Sequence, residues 1–322
     1  MNLIPEYDFE TVFVSPWTTD LASYGWIMLM GFFVILACGL VGNYLILRRM
    51  ALVGDAISHS ILLGIVVAFL IAGSRSTIVM LAGALVAGIV TSIVIDVIHK
   101  HSRVKQDAAI GIAFTSMFAL GVILVSLYAH KVDLDQECVL YGEIAYIPLE
   151  SFVTFGEREI APVPVVRMGI VALVTVGLLC VFYKELLVTS FDPALAVSLG
   201  IKVGVVHYAL MSMLSVVVVS AFESVGAILV IAMLILPGAT AMLCSQRLAV
   251  VHWLTVLHAA ISSIGGMHLA ILLDCSVAGA MVIVGTILFV ITWGVFVLRN
   301  SPWIRRGRID ETELLTESAP GL

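Results

Sequence analysis

Ala22-Ser23-Tyr24-Gly25-Trp26-Ile27-Met28-Leu29-Met30-Gly31-Phe32-Phe33-Val34-Ile35-Leu36-Ala37-Cys38-Gly39-Leu40-Val41-Gly42-Asn43-Tyr44-Leu45-Ile46-Leu47 carries no charged side chain, and Arg48-Arg49 closes it. An α-helix rises 1.5 Å per residue, so about 20 apolar residues cross the roughly 30 Å hydrocarbon layer of a bilayer. This stretch is long enough to do so. Working outward, charged and turn-forming clusters cut the 322 residues into nine candidate spans, near 22–47, 56–73, 77–98, 109–129, 168–187, 204–222, 226–244, 251–272 and 277–298. Backbone polar groups must be satisfied inside lipid, so the spans are helices.

Composition agrees. Hydrophobic residues make up 61% of the chain and Asp, Glu, Lys and Arg only 12%, about half the charge that coats a soluble domain; the mean hydropathy is +1.15. The expectation is an all-α, polytopic membrane bundle of about nine helices. The 16 Lys and Arg residues are too few and too scattered for a nucleic-acid surface. Five cysteines without close spacing do not write a disulfide scaffold or a zinc module. The first 20 residues hold Glu6, Asp8, Glu10 and Asp20 and no basic residue, unlike a cleavable signal peptide.

The positive-inside rule gives a direction. With the N-terminus outside, the inner loops carry Arg48, Arg49, Lys100, Arg103, Lys105, Lys184, Lys202 and Arg247, and the tail carries Arg299, Arg305, Arg306 and Arg308. Only Arg75, Lys131, Arg158 and Arg167 fall outside. Residues 1–21 are then an extracytoplasmic segment and 299–322 a cytoplasmic tail. The outer loop 130–167 is acidic, with Asp133, Asp135, Glu137, Glu143, Glu150, Glu157 and Glu159, and is either a cation-concentrating vestibule or an ordinary solvated loop. Cys138 and Cys275 fall on the same outer side and are a candidate disulfide.

Two local signals stand out. Residues 191–201 read as a short helix outside the membrane: Asp192 suits the N-cap, Pro193 the first turn and Gly200 the position past the end. Leu195 and Leu199 form an apolar ridge that suits a groove on another protein, or else rests on lipid headgroups. Ala82-Gly83-Ala84 and Ala87-Gly88 allow close helix approach, and Pro237 removes a helix hydrogen bond one turn back, at Met233, predicting a kink.

The candidate chemistry is Gly54-Asp55-Ala56-Ile57-Ser58-His59-Ser60. Asp55 and His59 stand four apart on one helix face, a spacing that lets a carboxylate and an imidazole share a divalent ion, with mixed hardness suiting Mn, Fe or Zn. The alternative is that Asp55 caps the second span and His59 bonds a nearby carbonyl. Other histidines read as packing or loop residues: His207 and His252 at span ends, His258 and His268 off a common face. Glu223 and Asp274 read as caps or vestibule charges, and beyond Asp55 the span interiors look nearly free of acids. The chain has no G-x-x-x-x-G-K-[ST], H-E-x-x-H or G-x-S-x-G motif.

Gly54-Asp55-Ala56-Ile57-Ser58-His59-Ser60-Ile61-Leu62-Leu63-Gly64 resembles the signature of the manganese/zinc/iron permease family of ABC importers, as do Phe191-Asp192-Pro193 with Ser198-Leu199-Gly200 and the Leu229–Ala241 stretch. The resemblance covers about residues 20–298, with Leu63 where the family usually has proline. It implies a permease fold similar to the vitamin B12-type importers, with 22–298 as the permease domain. It also implies a second permease, identical or related, a cytoplasmic ATPase dimer and an extracytoplasmic metal-binding protein, with ATP hydrolysis in the partner and no permanently bound cofactor. Asp55 and His59 become metal residues on a central pathway, although the span map puts them near its inner mouth. Asp192, Pro193, Leu195, Ser198, Leu199 and Gly200 become the coupling helix. The competing readings are a stand-alone ion-coupled metal carrier, which should hold several mid-span acids, and a non-transporting membrane sensor or assembly protein.

Overall fold

The computed structural model describes residues 10–18, 20–74, 76–128, 144–155 and 158–300. After a π-helical turn at Glu10–Val14 come α1 (Ser15–Thr18), α2 (Leu21–Leu47), α3 (Val53–Ala72), α4 (Thr77–His101) and α5 (Gln106–Tyr128). A 3₁₀ helix at Ile144–Leu149 leads into the hairpin β1 (Phe152–Phe155) and β2 (Arg158–Pro162). The chain continues through α6 (Val163–Val181), α7 (Tyr183–Phe191), α8 (Pro193–Ser198), α9 (Val203–Val225), α10 (Ala227–Cys244), α11 (Leu248–Leu273) and α12 (Val277–Asn300). Among the described residues eight helices are long and apolar enough to cross a membrane, and Leu229–Cys244 is a shorter apolar one. Each expected span has its helix.

α2 is the hub. Two-thirds (67%) of its apolar window is buried, against 39% for α3, 33% for α4, 22% for α5 and 11% for α12. Lipid is as apolar as leucine, so helices associate in it by close packing and hydrogen bonds. Small residues on α2 supply the closeness: Gly31 faces the Met281 side chain, Gly39 faces Thr255 and Pro237, and Gly42 lies on the backbone carbonyl of Leu234. Polar contacts add direction: Asn43 Nδ2 donates to Thr255 Oγ1 at 3.1 Å, and Ser263 Oγ donates to the Met28 carbonyl. The α3–α4 pair is equally tight, with Gly64 and Gly83 backbone to backbone. Gly88 sits between Ile57 of α3 and Ser215 of α9.

Several boundaries differ from those read in the sequence. The fifth span begins at Val163 rather than 168, because Pro164 is preorganised for a first helical turn, and it ends at Val181. The sixth and seventh spans part at Gly226, whose φ of 81° favours glycine, rather than at 223–225. The second half of the expected outer loop is not irregular: Ile144 and Ile147 are buried, and the hairpin pairs Phe152 with Pro162 and Phe155 with Arg158. Asp274 sits past the end of α11 in the left-handed region, the helix-ending role among its alternatives. α10 stays helical through Pro237. Cys138, Asp133, Asp135, Glu137, Glu143, Glu157, the tail from 301 and the side chain of Glu223 lie outside the described residues.

The described N-terminal residues fold over the end of α11. Trp17 Nε1 donates to His268 Nε2 at 3.2 Å, which leaves Nδ1 as the protonated nitrogen, 2.8 Å from the Val12 carbonyl. Phe13 stacks on the same ring at 5.4 Å. His268 is the packing residue its sequence position suggests.

A methyl group at Gly64 would collide with the Gly83 carbonyl, whereas one at Gly177 meets nothing within 4 Å. Gly64→Ala should therefore lose about 1–3 kcal/mol. Gly177→Ala should lose nothing. Thermal unfolding of both variants in detergent checks the difference.

Candidate metal pathway and coupling segment

Asp55 occupies the first turn of α3, but the N-cap is Leu52 and no side chain caps it. The capping alternative for Asp55 fails. Its Oδ1 lies 3.2 Å from His59 Nε2 instead, with side chains 31% and 34% exposed. Two donors bound to one ion at about 2.1 Å, separated by about 90° to 110°, stand about 3.0–3.4 Å apart. The pair already has that bite. The His59 ring lies 5.4 Å from Phe114 and 5.7 Å from Phe118 of α5, so an apolar wall flanks one side. Phe118 is exposed there, while Ile112, Leu120 and Ile123 are exposed on the opposite side of α5.

Helix register sets the depth of the pair. Gly64 lies on Gly83 and Ile57 on Gly88, so α3 and α4 run antiparallel with Asp55 and His59 level with residues 86–91. That is the middle of α4, which spans Thr77–His101. The register thus sets the pair level with the middle of α4 and not with either of its ends. α4 overruns the start of α3, which a span map drawn from apolar lengths does not reveal.

Among the described residues no group of three or more His, Cys, Asp or Glu side chains converges on one point. Among the described residues the candidate site thus brings two such side chains together, Asp55 and His59, whereas transition metals take four or more ligands.

The 191–201 segment forms as the sequence indicates. Asp192 Oδ1 accepts from the Leu195 N–H at 2.9 Å. Gly200 adopts φ 80°, and the Ile201 N–H closes back on the Ala196 carbonyl at 3.0 Å. Ala196 is buried, while Leu195, Val197 and Leu199 are exposed. On the upstream side Arg48, just past α2, donates to Ser190 Oγ at 3.0 Å and to Thr189 Oγ1 at 2.9 Å.

The sequence does not single out Asp96, and it leaves His207 as a plain span-end residue. Asp96 is an acid inside a span: its side chain is 10% exposed, with Lys100 Nζ 2.7 Å from Oδ2 and His207 Nε2 3.2 Å from Oδ1. The one available signal is the i,i+4 spacing of Asp96 and Lys100. Beside Pro237, Met233, His258, Ser262 and Gly285 line a small cavity. His258 Nδ1 and Ser262 Oγ have no hydrogen-bond partner there among the described residues.

A hub helix wrapped by apolar spans, with one short capped helix between α7 and α9, is the build of a multi-pass membrane permease. The chain belongs to the ABC 3 transport family, whose profile matches residues 23–295. It is 45% identical over 256 residues to the manganese transport system membrane protein MntD of Bacillus subtilis, covering 80% of this chain and 86% of that one. It is 43% identical to the zinc transport system membrane protein TroD of Treponema pallidum, covering 83% and 72%. Among solved structures, PsaBC from Streptococcus pneumoniae in complex with Fab superposes with a TM-score of 0.69 at 33% identity, covering 84% of this chain and 90% of that one. An inward-facing metal-chelate type ABC transporter shares the fold, with a TM-score of 0.62 at 18% identity and 85% of each chain covered.

Removing the Asp192 carboxylate in Asp192→Ala should destabilise the local turn by about 1 kcal/mol. Hydrogen exchange should quicken at the Leu195 amide and leave α2 unchanged.

Proposed function

We propose that this chain is the membrane-spanning subunit of an ATP-driven importer that moves a divalent transition metal into the cytoplasm, with Mn²⁺ favoured and Zn²⁺ or Fe²⁺ as alternatives. The observation that carries this is the Asp55–His59 pair, set at ligand spacing midway along the bundle on a half-open face. The named cargo of the relatives supports the choice of metal. A two-donor site calls for a second permease, identical or related, bringing its own donors to the apolar α3–α5 face. A carboxylate and a neutral imidazole hold a borderline cation without the permanence of thiolates, as suits cargo that must leave again.

In this reading residues 22–298 are the permease domain, with 1–21 outside the cell and 299–322 in the cytoplasm. The distribution of Lys and Arg supports that orientation. An extracytoplasmic metal-binding protein delivers the ion. A cytoplasmic ATPase dimer docks on Asp192, Pro193, Leu195, Ser198, Leu199 and Gly200, where exposed Leu195 and Leu199 offer the apolar ridge. Pro237 gives α10 a bend against α2. A stand-alone carrier is a poorer fit, because Asp96 is already committed to Lys100 and His207.

Asp55→Asn and His59→Ala should each lower ⁵⁴Mn²⁺ uptake by about tenfold or more while the chain still inserts and assembles. Normal uptake by both variants would overturn the assignment. Leu195→Asp should leave the chain in the membrane but reduce ATPase co-purification and uptake together. An unchanged pull-down with unchanged transport removes 191–201 as the docking segment.

A further inference from the structure

We infer that the Asp96–His207 contact is a positioning pin that passes movement of the 192–200 segment to the helices carrying Asp55 and His59. The inference rests on the reading of that segment as the ATPase docking site. The path begins at α8, whose end is tied into the turn before α9: the Leu199 N–H bonds the Leu195 carbonyl, and the Ile201 N–H bonds the Ala196 carbonyl, both at 3.0 Å. Only residues 199–202 separate α8 from α9. α8 therefore cannot shift without carrying the first turns of α9, where His207 sits.

From His207 the connection crosses to α4 through Asp96, 111 residues away in sequence. Two turns further along, Gly88 of α4 lies against Ser215 of α9, so α4 and α9 run side by side over this length. The same side of Gly88 also meets Ile57, between Asp55 and His59 on α3. α3 and α4 are themselves locked at Gly64 and Gly83. Movement entering at α8 thus reaches Asp55 and His59 through close contacts.

The contact is not needed to neutralise Asp96. Lys100, one turn along the same helix, already supplies the opposite charge at 2.7 Å and keeps its own side chain 56% exposed. What His207 adds is a direct bond from α9 to Asp96 on α4, beside the Tyr208 ring of α9, which lies 5.5 Å from Lys100 Nζ. Upstream of α8, Arg48 ties α7 to the end of α2, the most buried helix. α8 is therefore held between a fixed hub on one side and the less buried α3–α4 pair on the other.

The test uses proteoliposomes containing the full permease with its co-purifying ATPase and the metal-binding protein that delivers the ion, reading Mn²⁺ taken up per ATP hydrolysed. His207→Leu and Asp96→Asn should keep ATP hydrolysis but lower that ratio at least about fivefold. His207→Gln, whose amide donates from the same place, should restore it, and Lys100→Met should leave it at the wild-type value. A wild-type ratio in His207→Leu overturns the pin, as does a loss of folded complex in His207→Leu that His207→Gln shares. Leu195→Asp separates the two ideas. If it still binds the ATPase, the docking reading fails and takes the pin with it; if it releases the ATPase while His207→Leu transports normally, the pin alone fails.

Discussion

The close approach of backbones at glycine is the constraint on which this bundle depends. A bilayer gives apolar helices no reason to prefer one another over lipid, so they must gain by dense packing and by sharing polar groups. Gly42 on the Leu234 carbonyl and Gly64 on Gly83 provide the first; Asn43 with Thr255 and Ser263 with the Met28 carbonyl provide the second. Through these contacts α2 becomes the fixed axis and the register of α3 on α4 is set. That register in turn decides how deep Asp55 and His59 lie.

The helices were legible because in this chain every apolar run is bracketed by charge or by turn residues. Arg48-Arg49 after α2 and Lys100 through Lys105 between α4 and α5 are plain punctuation. Edges were harder where punctuation is conformational. Gly226 ends α9 by its positive φ, and Pro164 starts α6 by its ring, so neither boundary shows up as a change in hydropathy. The hairpin at 152–162 was hidden because its strands are short and set in an acidic stretch that reads as loop.

The candidate metal pair was visible by spacing, since i,i+4 geometry is local to one helix. Its depth was not, because depth depends on which residue of α4 stands opposite, a long-range fact. Asp96 was lost for a related reason. On an apolar helix next to Lys100 it reads as the edge of a basic loop, and its other partner lies on a helix far away in sequence. His207, at the start of α9, reads as a span-end residue for the same reason. Local chemistry could be read from the chain, whereas pairings between helices could not.

In the proposed site the described residues of one chain bring two donors together, Asp55 and His59, and a transition metal held by two protein ligands keeps most of its water. In the proposed dimer, a protomer newly inserted in the membrane and still unpaired would neither trap the ion nor provide it with a dry route. Permeability would then be a property of the assembled pair, acquired only when two half-shells of ligands face each other. Biosynthesis would gain a safeguard from this arithmetic, because subunits made in excess would sit in the membrane without leaking metal across it.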